Sequence, residues 1–152
     1  MVLLDRQDAV TAWALARLAA RDWRAEVVTA DACAWLAARG DGRSDVVVAN
    51  LVLHHFELER LAALLPLIAA RARVFVACEP RRSQRVLQAS RLLGLIGCSA
   101  VTRHDASVSV RAGFADRELT ALWPGSGAWR LEEGSRAWFS HLFVAARTGG
   151  DA

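Results

Sequence analysis

The segment most informative about the fold is Asp45-Val-Val-Val-Ala-Asn50-Leu-Val-Leu-His54-His55-Phe56. Its three consecutive valines show no alternation of polar and apolar side chains, which is typical of a parallel strand buried on both faces. Asn50 ends this apolar run, and two adjacent histidines follow. The stretch therefore predicts a buried strand over residues 45–49, whose carboxyl end leads into a polar turn.

Segments of strand type and helix type alternate on both sides of this stretch. We predict strands at residues 1–4, 26–30, 45–49 and 74–77, and helices at residues 10–18, 32–39, 58–68 and 83–96. Residues 101–111 are expected to be irregular or extended. The last two strands, at residues 129–132 and 137–147, form a hairpin with a turn at Gly134 and Ser135. This order is typical of an α/β domain with a mostly parallel sheet.

Length and composition favour one globular domain, over residues 1–147, followed by a frayed tail at residues 148–152. The chain has 152 residues, of which 54% are hydrophobic, enough for a packed core. Its net charge of +3 arises from 19 basic residues, all arginine, and 16 acidic ones. That balance argues against a nucleic-acid partner. No uncharged run approaches the roughly 20 residues of a membrane-spanning helix, so we expect no membrane span.

The cysteines favour a reducing compartment. Cys33, Cys78 and Cys98 are odd in number and widely spaced, and no CxxC or Cys/His zinc spacing occurs. No basic leader precedes the first apolar residues. We therefore expect reduced thiols, no metal site and a cytoplasmic location.

Polar side chains follow four of the predicted strands. Asp5, Asp31, Asn50 and Glu79 each stand where a strand ends, and ligands of open α/β sheets bind beyond the carboxyl ends of the strands. Each residue alone is equally well explained by the preference of Asp and Asn for turns. Together the four predict a polar ligand site at one edge of the sheet.

Residues 45–56 resemble the fourth strand and following turn of class I S-adenosylmethionine-dependent methyltransferases of the small-molecule type. The resemblance implies a three-layer Rossmann-like sheet with a C-terminal antiparallel hairpin. It implies S-adenosylmethionine as the cofactor and methyl transfer to a phenolic, quinone or lipid-like acceptor. Asp5 resembles the acid that holds the cofactor ribose hydroxyls, and Asp31 resembles the acid near the adenine amino group. The resemblance also implies that Ala32, Asn50 and Leu51 line the cofactor.

The chain departs from that family at its first strand, because no Gly-x-Gly-x-Gly loop occurs in the sequence. The sheet is therefore expected to be N-terminally incomplete, and we favour a start that lies upstream. Two alternatives stay open: the chain is a fragment or degenerate copy, or the strand at residues 1–4 pairs directly with the strand at residues 45–49. Unpaired strand edges also favour association, so a homodimer is among the expected partners.

Two further function classes stay open. A non-catalytic methyltransferase-like subunit that acts through a partner is favoured by the missing Gly-rich loop and disfavoured by the retained Asp5 and Asp31. A nicotinamide-dependent dehydrogenase would also use an acid such as Asp5, but it needs a Gly-rich loop as well.

Histidines are the candidate bases, because an acceptor that carries a proton often needs one removed near neutral pH. His55 follows the predicted fourth strand of the family pattern, but it and His54 are as well explained by packing or capping of the next helix. His104 lies in the segment expected to be irregular, beside Asp105. Its alternative interpretation is an ordinary ion pair on a surface loop.

Two further groups carry alternatives. Arg81, Arg82 and Arg85 either hold an anionic acceptor or form a solvated helix start. Trp123 and Trp129 either pack in the core, as most of the six tryptophans are expected to do, or line an aromatic acceptor pocket.

Overall fold

The computed structural model describes residues 1–40, 42–91 and 99–149. Two compact units make up the chain, Met1–Gly42 and Arg43–Ala152. Each unit contains parallel strands joined by helices, which confirms the α/β alternation. The single domain over residues 1–147, with its tail, stays a prediction. The end of the helix predicted at residues 83–96 and the thiol of Cys98 lie outside the described residues.

The first unit is a parallel strand pair with two helices. Its elements are β1 (Val2–Asp5), α1 (Ala12–Ala19), β2 (Glu26–Thr29) and α2 (Ala32–Ala38). The helices start where short polar side chains cap them. Thr11 and Asp31 each accept a hydrogen bond from the backbone N–H three residues further on. Local capping thus fixes where each helix begins.

The second unit is a four-stranded sheet with helices. Its elements are β3 (Ser44–Asn50), α3 (Leu58–Arg71), β4 (Ala72–Pro80), α4 (Gln84–Arg91), α5 (Ala100–Ala112), α6 (Glu118–Leu122), β5 (Trp129–Arg136) and β6 (Ser140–Arg147). The strand order is β3-β4-β6-β5, with β3 parallel to β4 and β6 antiparallel to both its neighbours. Only β6 therefore runs against the others in this sheet, and the closing antiparallel hairpin is confirmed.

The core of the second unit is aromatic. Phe75 of β4 and Phe143 of β6 are fully buried, and Trp123 stacks on Phe75 with ring centroids 5.3 Å apart. Trp129 meets Trp123 edge-on at 5.1 Å. Of the two interpretations of Trp123 and Trp129, packing in the core is therefore confirmed. The broader expectation for the tryptophans is wrong for Trp13, Trp23 and Trp138, which are exposed.

The expectation of an irregular segment at residues 101–111 is wrong, because α5 spans it. The sequence there is rich in Ser, Thr, Val, His and Asp, which have modest helix propensity. The helix packs against α4, β4 and the short 3-10 turn Leu53–His55, and it buries Val110. Tertiary packing therefore overrides the local preference.

The hairpin turn lies later than predicted. The β5–β6 ladder runs through Gly134↔Leu142 to Arg136↔Ser140, so Gly134 and Ser135 belong to a strand. The chain reverses at residues 137–139, where Ala137 has φ +54°. A three-residue loop that contains one left-handed residue is a common hairpin connection. The Gly134-Ser135 pair favours a turn at those two residues, but the ladder places both of them within β5.

Burial of β3 on both faces is not observed. β3 is at one end of its sheet, and Val46 and Val48, which share a face, are 55% and 65% exposed. β1 pairs with β2 and β3 pairs with β4, in two sheets.

Two simpler expectations concern the thiols and the membrane. Cys33 and Cys78 are free cysteines, as expected. Among the described residues, no helix combines the length and apolar character needed to cross a bilayer.

Candidate functional site

The carboxyl edge of the β1–β2 pair carries two of the predicted cofactor ligands. Asp5 ends β1 opposite Thr29, and its backbone oxygen accepts the N–H of Ala30 at 2.9 Å. Asp31 is the next residue, so the structure brings the two carboxylates to the same edge of one sheet. The Asp5 side chain is exposed, and its Oδ1 accepts the N–H of Gln7 at 2.8 Å.

Asp31 also has a local structural role. Its Oδ1 accepts the N–H of Ala34 at 3.1 Å, which caps α2. Ala32, the third predicted cofactor residue of this unit, is the first residue of that helix. The cap holds the carboxylate at the start of α2, where the helix dipole favours negative charge. A variant at Asp31 must therefore separate capping from ligand binding.

The turn after β3 holds the other two predicted cofactor residues. Asn50 is the last residue of β3 and is exposed. Leu51 adopts φ +54°, and its N–H donates to the carbonyl of Cys78 at 2.9 Å. A side chain in this left-handed region costs about 1–2 kcal/mol. Such a conformation persists only where the surroundings hold it, and it is typical of functional turns.

Glu79, at the end of β4, holds that turn. Its Oε1 accepts the N–H groups of Val52 and Leu53 at 3.0 and 2.9 Å, and its Oε2 accepts the His54 N–H at 3.3 Å. The His54 ring donates from Nδ1 to the same Oε2 at 2.8 Å. The Glu79 side chain is 0% exposed. One buried carboxylate therefore fixes four donors and the backbone beside Leu51.

The two adjacent histidines consequently differ. The His54 side chain is 4% exposed and engaged by Glu79. His55 is exposed, and its ring centroid lies 4.0 Å from that of His54. For His54 the structure supports the interpretation as a packed residue, because its side chain is buried against Glu79. His55 as a base stays a prediction.

His104 lies on α5 and is exposed. Its backbone carbonyl accepts a hydrogen bond from the Ser107 hydroxyl at 2.8 Å. Because consecutive residues of a helix point in different directions, Asp105 is not positioned to orient the His104 ring. His104 thus lies on a helix and not on a loop, and its role as a base stays a prediction.

A second buried Glu–His pair escaped the sequence analysis. Glu133 of β5 accepts the N–H groups of Leu119 and Thr120 at 3.0 and 2.7 Å. It also accepts a hydrogen bond from Nε2 of His141 at 2.9 Å, with both side chains at most 1% exposed. Like Glu79, Glu133 serves as an acceptor for the start of a helix, here α6. The sequence contains one sign that the Glu133 side chain is buried, since strand alternation places it on the same face as the apolar Leu131.

The arginine cluster is divided by its partners. Arg82 forms an ion pair with Glu118, whose other oxygen accepts the N–H of Ala115 at 3.1 Å. Arg82 thus anchors the segment that leads into α6. Arg81 and Arg85 are not used in this way, and they line a surface groove instead.

The comparisons with known proteins identify the fold. No protein-family model matches the sequence, and no curated protein matches it significantly. Among solved structures, an O-methyltransferase family protein from Burkholderia thailandensis aligns with 99% of this chain, at 18% identity and a TM-score of 0.63. Magnesium protoporphyrin IX methyltransferase from Synechocystis PCC 6803, with bound SAH, aligns with 90% at 20% identity and a TM-score of 0.53. A putative O-methyltransferase from Nostoc punctiforme aligns with 95% at 14% identity and a TM-score of 0.62.

These similarities establish the class I methyltransferase fold for this chain. The chain spans about half the length of the three structures, covering 44%, 57% and 43% of them. At such low identity the likeness extends to the fold and no further.

Proposed function

We propose that this chain binds S-adenosylmethionine and transfers its methyl group to a small-molecule acceptor. The observation that carries the proposal is the pair of carboxylates, Asp5 and Asp31, at one edge of the β1–β2 sheet in a methyltransferase fold. The Synechocystis methyltransferase has been solved both with SAH and with SAM bound. That finding supports the same cofactor here.

Each carboxylate suits one polar part of the cofactor. Two oxygens of Asp5 can accept hydrogen bonds from both hydroxyls of a ribose. Asp31 can accept from an exocyclic adenine amine, which distinguishes adenine from bases that lack that donor. Ala32 presents a small side chain at the start of α2, which suits close approach by a flat ring. Asn50 and Leu51 are proposed to line the cofactor from the turn after β3.

Bound S-adenosylmethionine supplies a methyl group already activated by an adjacent positive sulfonium. The chain then has to align the acceptor and exclude water. For an acceptor that must lose a proton, we propose the exposed His55 or His104 as the base. Glu79 acts on this site indirectly, because it holds the turn that carries Leu51 and His55.

The acceptor is proposed to be phenolic, quinone or lipid-like. The O-methyltransferases among the similar structures support oxygen as the methylated atom. We further expect a homodimer in a reducing, cytoplasmic environment. Sedimentation equilibrium measures the assembly directly.

A non-catalytic subunit is the second candidate function. It is favoured by one observation, the absence of a Gly-x-Gly-x-Gly motif from these residues, because that loop normally lets the backbone approach the cofactor. A subunit of this kind would fold and act through a partner without binding the cofactor. Cofactor binding therefore separates the two candidates.

The test is a calorimetric titration of S-adenosylmethionine, and of its demethylated product, into the full chain. Asp5→Asn and Asp31→Asn each remove a negative charge, and Asn at residue 31 still caps α2. Loss of a charge-assisted hydrogen bond of about 1.5–3 kcal/mol weakens binding about tenfold to a hundredfold. The exposed Asp8 lies near the same strand end, so Asp8→Asn is the matched control and is expected to bind like the wild type.

The outcomes separate the candidates. Binding that falls in both ligand variants but not in Asp8→Asn supports the proposed cofactor site. No binding by a chain whose circular dichroism shows it to be folded contradicts the enzyme proposal and favours the non-catalytic subunit.

A further inference from the structure

A groove of about 500 Å³ lies between the start of α4 and the turn of the β5–β6 hairpin. Its apolar walls are Val86 and Ala89 on α4, and Ala137, Trp138 and Phe139 on the turn. Its volume is within the range of about 300–1,000 Å³ typical of small-molecule sites. The groove is therefore large enough, and apolar enough in part of its lining, to hold a small molecule.

The groove lies at the carboxyl edge of the second unit's sheet. Arg81 directly follows β4, and its N–H donates to the carbonyl of Phe139 at 2.8 Å, which joins the two walls. β3 ends at the same edge, since Asn50 is opposite Cys78 in the β3–β4 ladder. Ligands of open α/β sheets bind at this edge.

Two aromatic side chains on the turn are exposed to solvent. Trp138 and Phe139 are 78% and 57% exposed, although burying such side chains is favourable by about 1.5–3 kcal/mol each. Adjacent exposed aromatic residues beside a concave surface are typical of binding sites. A flat apolar ring system would cover them.

The charge of the groove is positive. Its lining includes the guanidinium groups of Arg81 and Arg85 and no carboxylate. Arg82, between them in the sequence, is engaged by Glu118, whereas neither groove arginine has an acidic partner in the described part of the chain. Two cations without acidic partners on an apolar wall match a ligand that carries a carboxylate.

We propose that this groove binds the methyl acceptor and that the acceptor is an aromatic carboxylic acid. This inference rests on the proposed methyl transfer, because only that reaction makes the bound molecule a methyl acceptor. Binding of an aromatic carboxylic acid is argued from the groove alone. The ring system packs on Trp138 and Phe139, and Arg81 and Arg85 bind the carboxylate. The proposed class of acceptors is thus narrowed from phenolic, quinone or lipid-like molecules to phenolic acids.

The test titrates hydroxynaphthoate into the full chain, with hydroxynaphthamide as the uncharged counterpart of the same shape. The variants are Arg81→Gln, Arg85→Gln and Trp138→Ala. Arg130→Gln is the matched control, since Arg130 is an exposed arginine of β5 outside the groove. We expect each groove variant to weaken hydroxynaphthoate binding by about tenfold or more. We expect the control to bind hydroxynaphthoate like the wild type, and the affinity for S-adenosylmethionine to stay unchanged in every variant.

Three outcomes overturn the inference. One is an absence of hydroxynaphthoate binding, and another is equal binding of the acid and the amide. In both cases the parallel cofactor titration shows whether the methyltransferase proposal itself still stands. The third outcome is that Trp138→Ala abolishes adsorption to anionic phospholipid vesicles and leaves hydroxynaphthoate binding intact, which would assign these aromatic residues to a lipid surface.

Discussion

Replacement of Glu79 by glutamine tests whether one buried carboxylate holds the turn after β3. Glutamine keeps the shape of the side chain and one carbonyl oxygen, which can still accept the N–H groups of Val52 and Leu53. Its amide NH2 takes the place of Oε2 and faces the N–H of His54, so that a donor meets a donor. The substitution therefore removes the charge and one acceptor without leaving a cavity.

The size of the effect follows from these contacts. Hydrogen bonds to a charged group contribute about 1.5–3 kcal/mol each, against about 1 kcal/mol for neutral ones. A neutral amide costs less to bury than a carboxylate, which offsets part of the loss. We expect the free energy of unfolding to fall by about 3 kcal/mol, or roughly 6–12 °C in Tm.

The assay is urea unfolding followed by circular dichroism, with native-state hydrogen exchange at the Leu53 amide as the local readout. Glu132→Gln is the matched control, because the Glu132 side chain is 62% exposed and lies 3.9 Å from Arg130. The control is expected to change stability by less than about 0.5 kcal/mol. Equal free energies of unfolding for the two variants, with the Leu53 amide still protected, would refute the role assigned to Glu79.

Two further predictions concern the packing of the second unit. Gly113→Ala places a Cβ 2.2 Å from the backbone oxygen of Pro80. We expect the free energy of unfolding to fall by at least about 2 kcal/mol, because backbone atoms cannot move aside as a flexible side chain does. Gly134→Ala, with nothing within 4 Å, is the control; equal melting temperatures would contradict the close approach. Glu133→Gln replaces the carboxylate that accepts hydrogen bonds from two α6 N–H groups and from His141. We therefore expect the free energy of unfolding, measured in urea, to fall by about 1–3 kcal/mol. An unchanged midpoint would contradict this role of Glu133.

Much of the architecture could be predicted because it depends on local patterns. The turn preference of Asp31 and the apolar run of β4 are visible in a few consecutive residues. The helix α5 was missed because its residues favour helix only weakly, and packing of Val110 against the rest of the unit supplies the stability. The hairpin turn was misplaced because Gly134 and Ser135 satisfy a local turn preference that the β5–β6 ladder overrides.

The alternation of strands and helices, and the position of the strand-end residues Asp5, Asp31 and Asn50, can be predicted from the amino-acid sequence because period and turn chemistry are local properties. The choice of polar groups that are buried together depends on the three-dimensional fold. Glu79 meets the backbone at residues 52–54, and Glu133 meets His141, through strand register and chain reversal. The same long-range pairing sets Arg81 and Arg85 beside Trp138. Contacts of this kind depend on which segments meet in space, and a one-dimensional pattern does not contain that information.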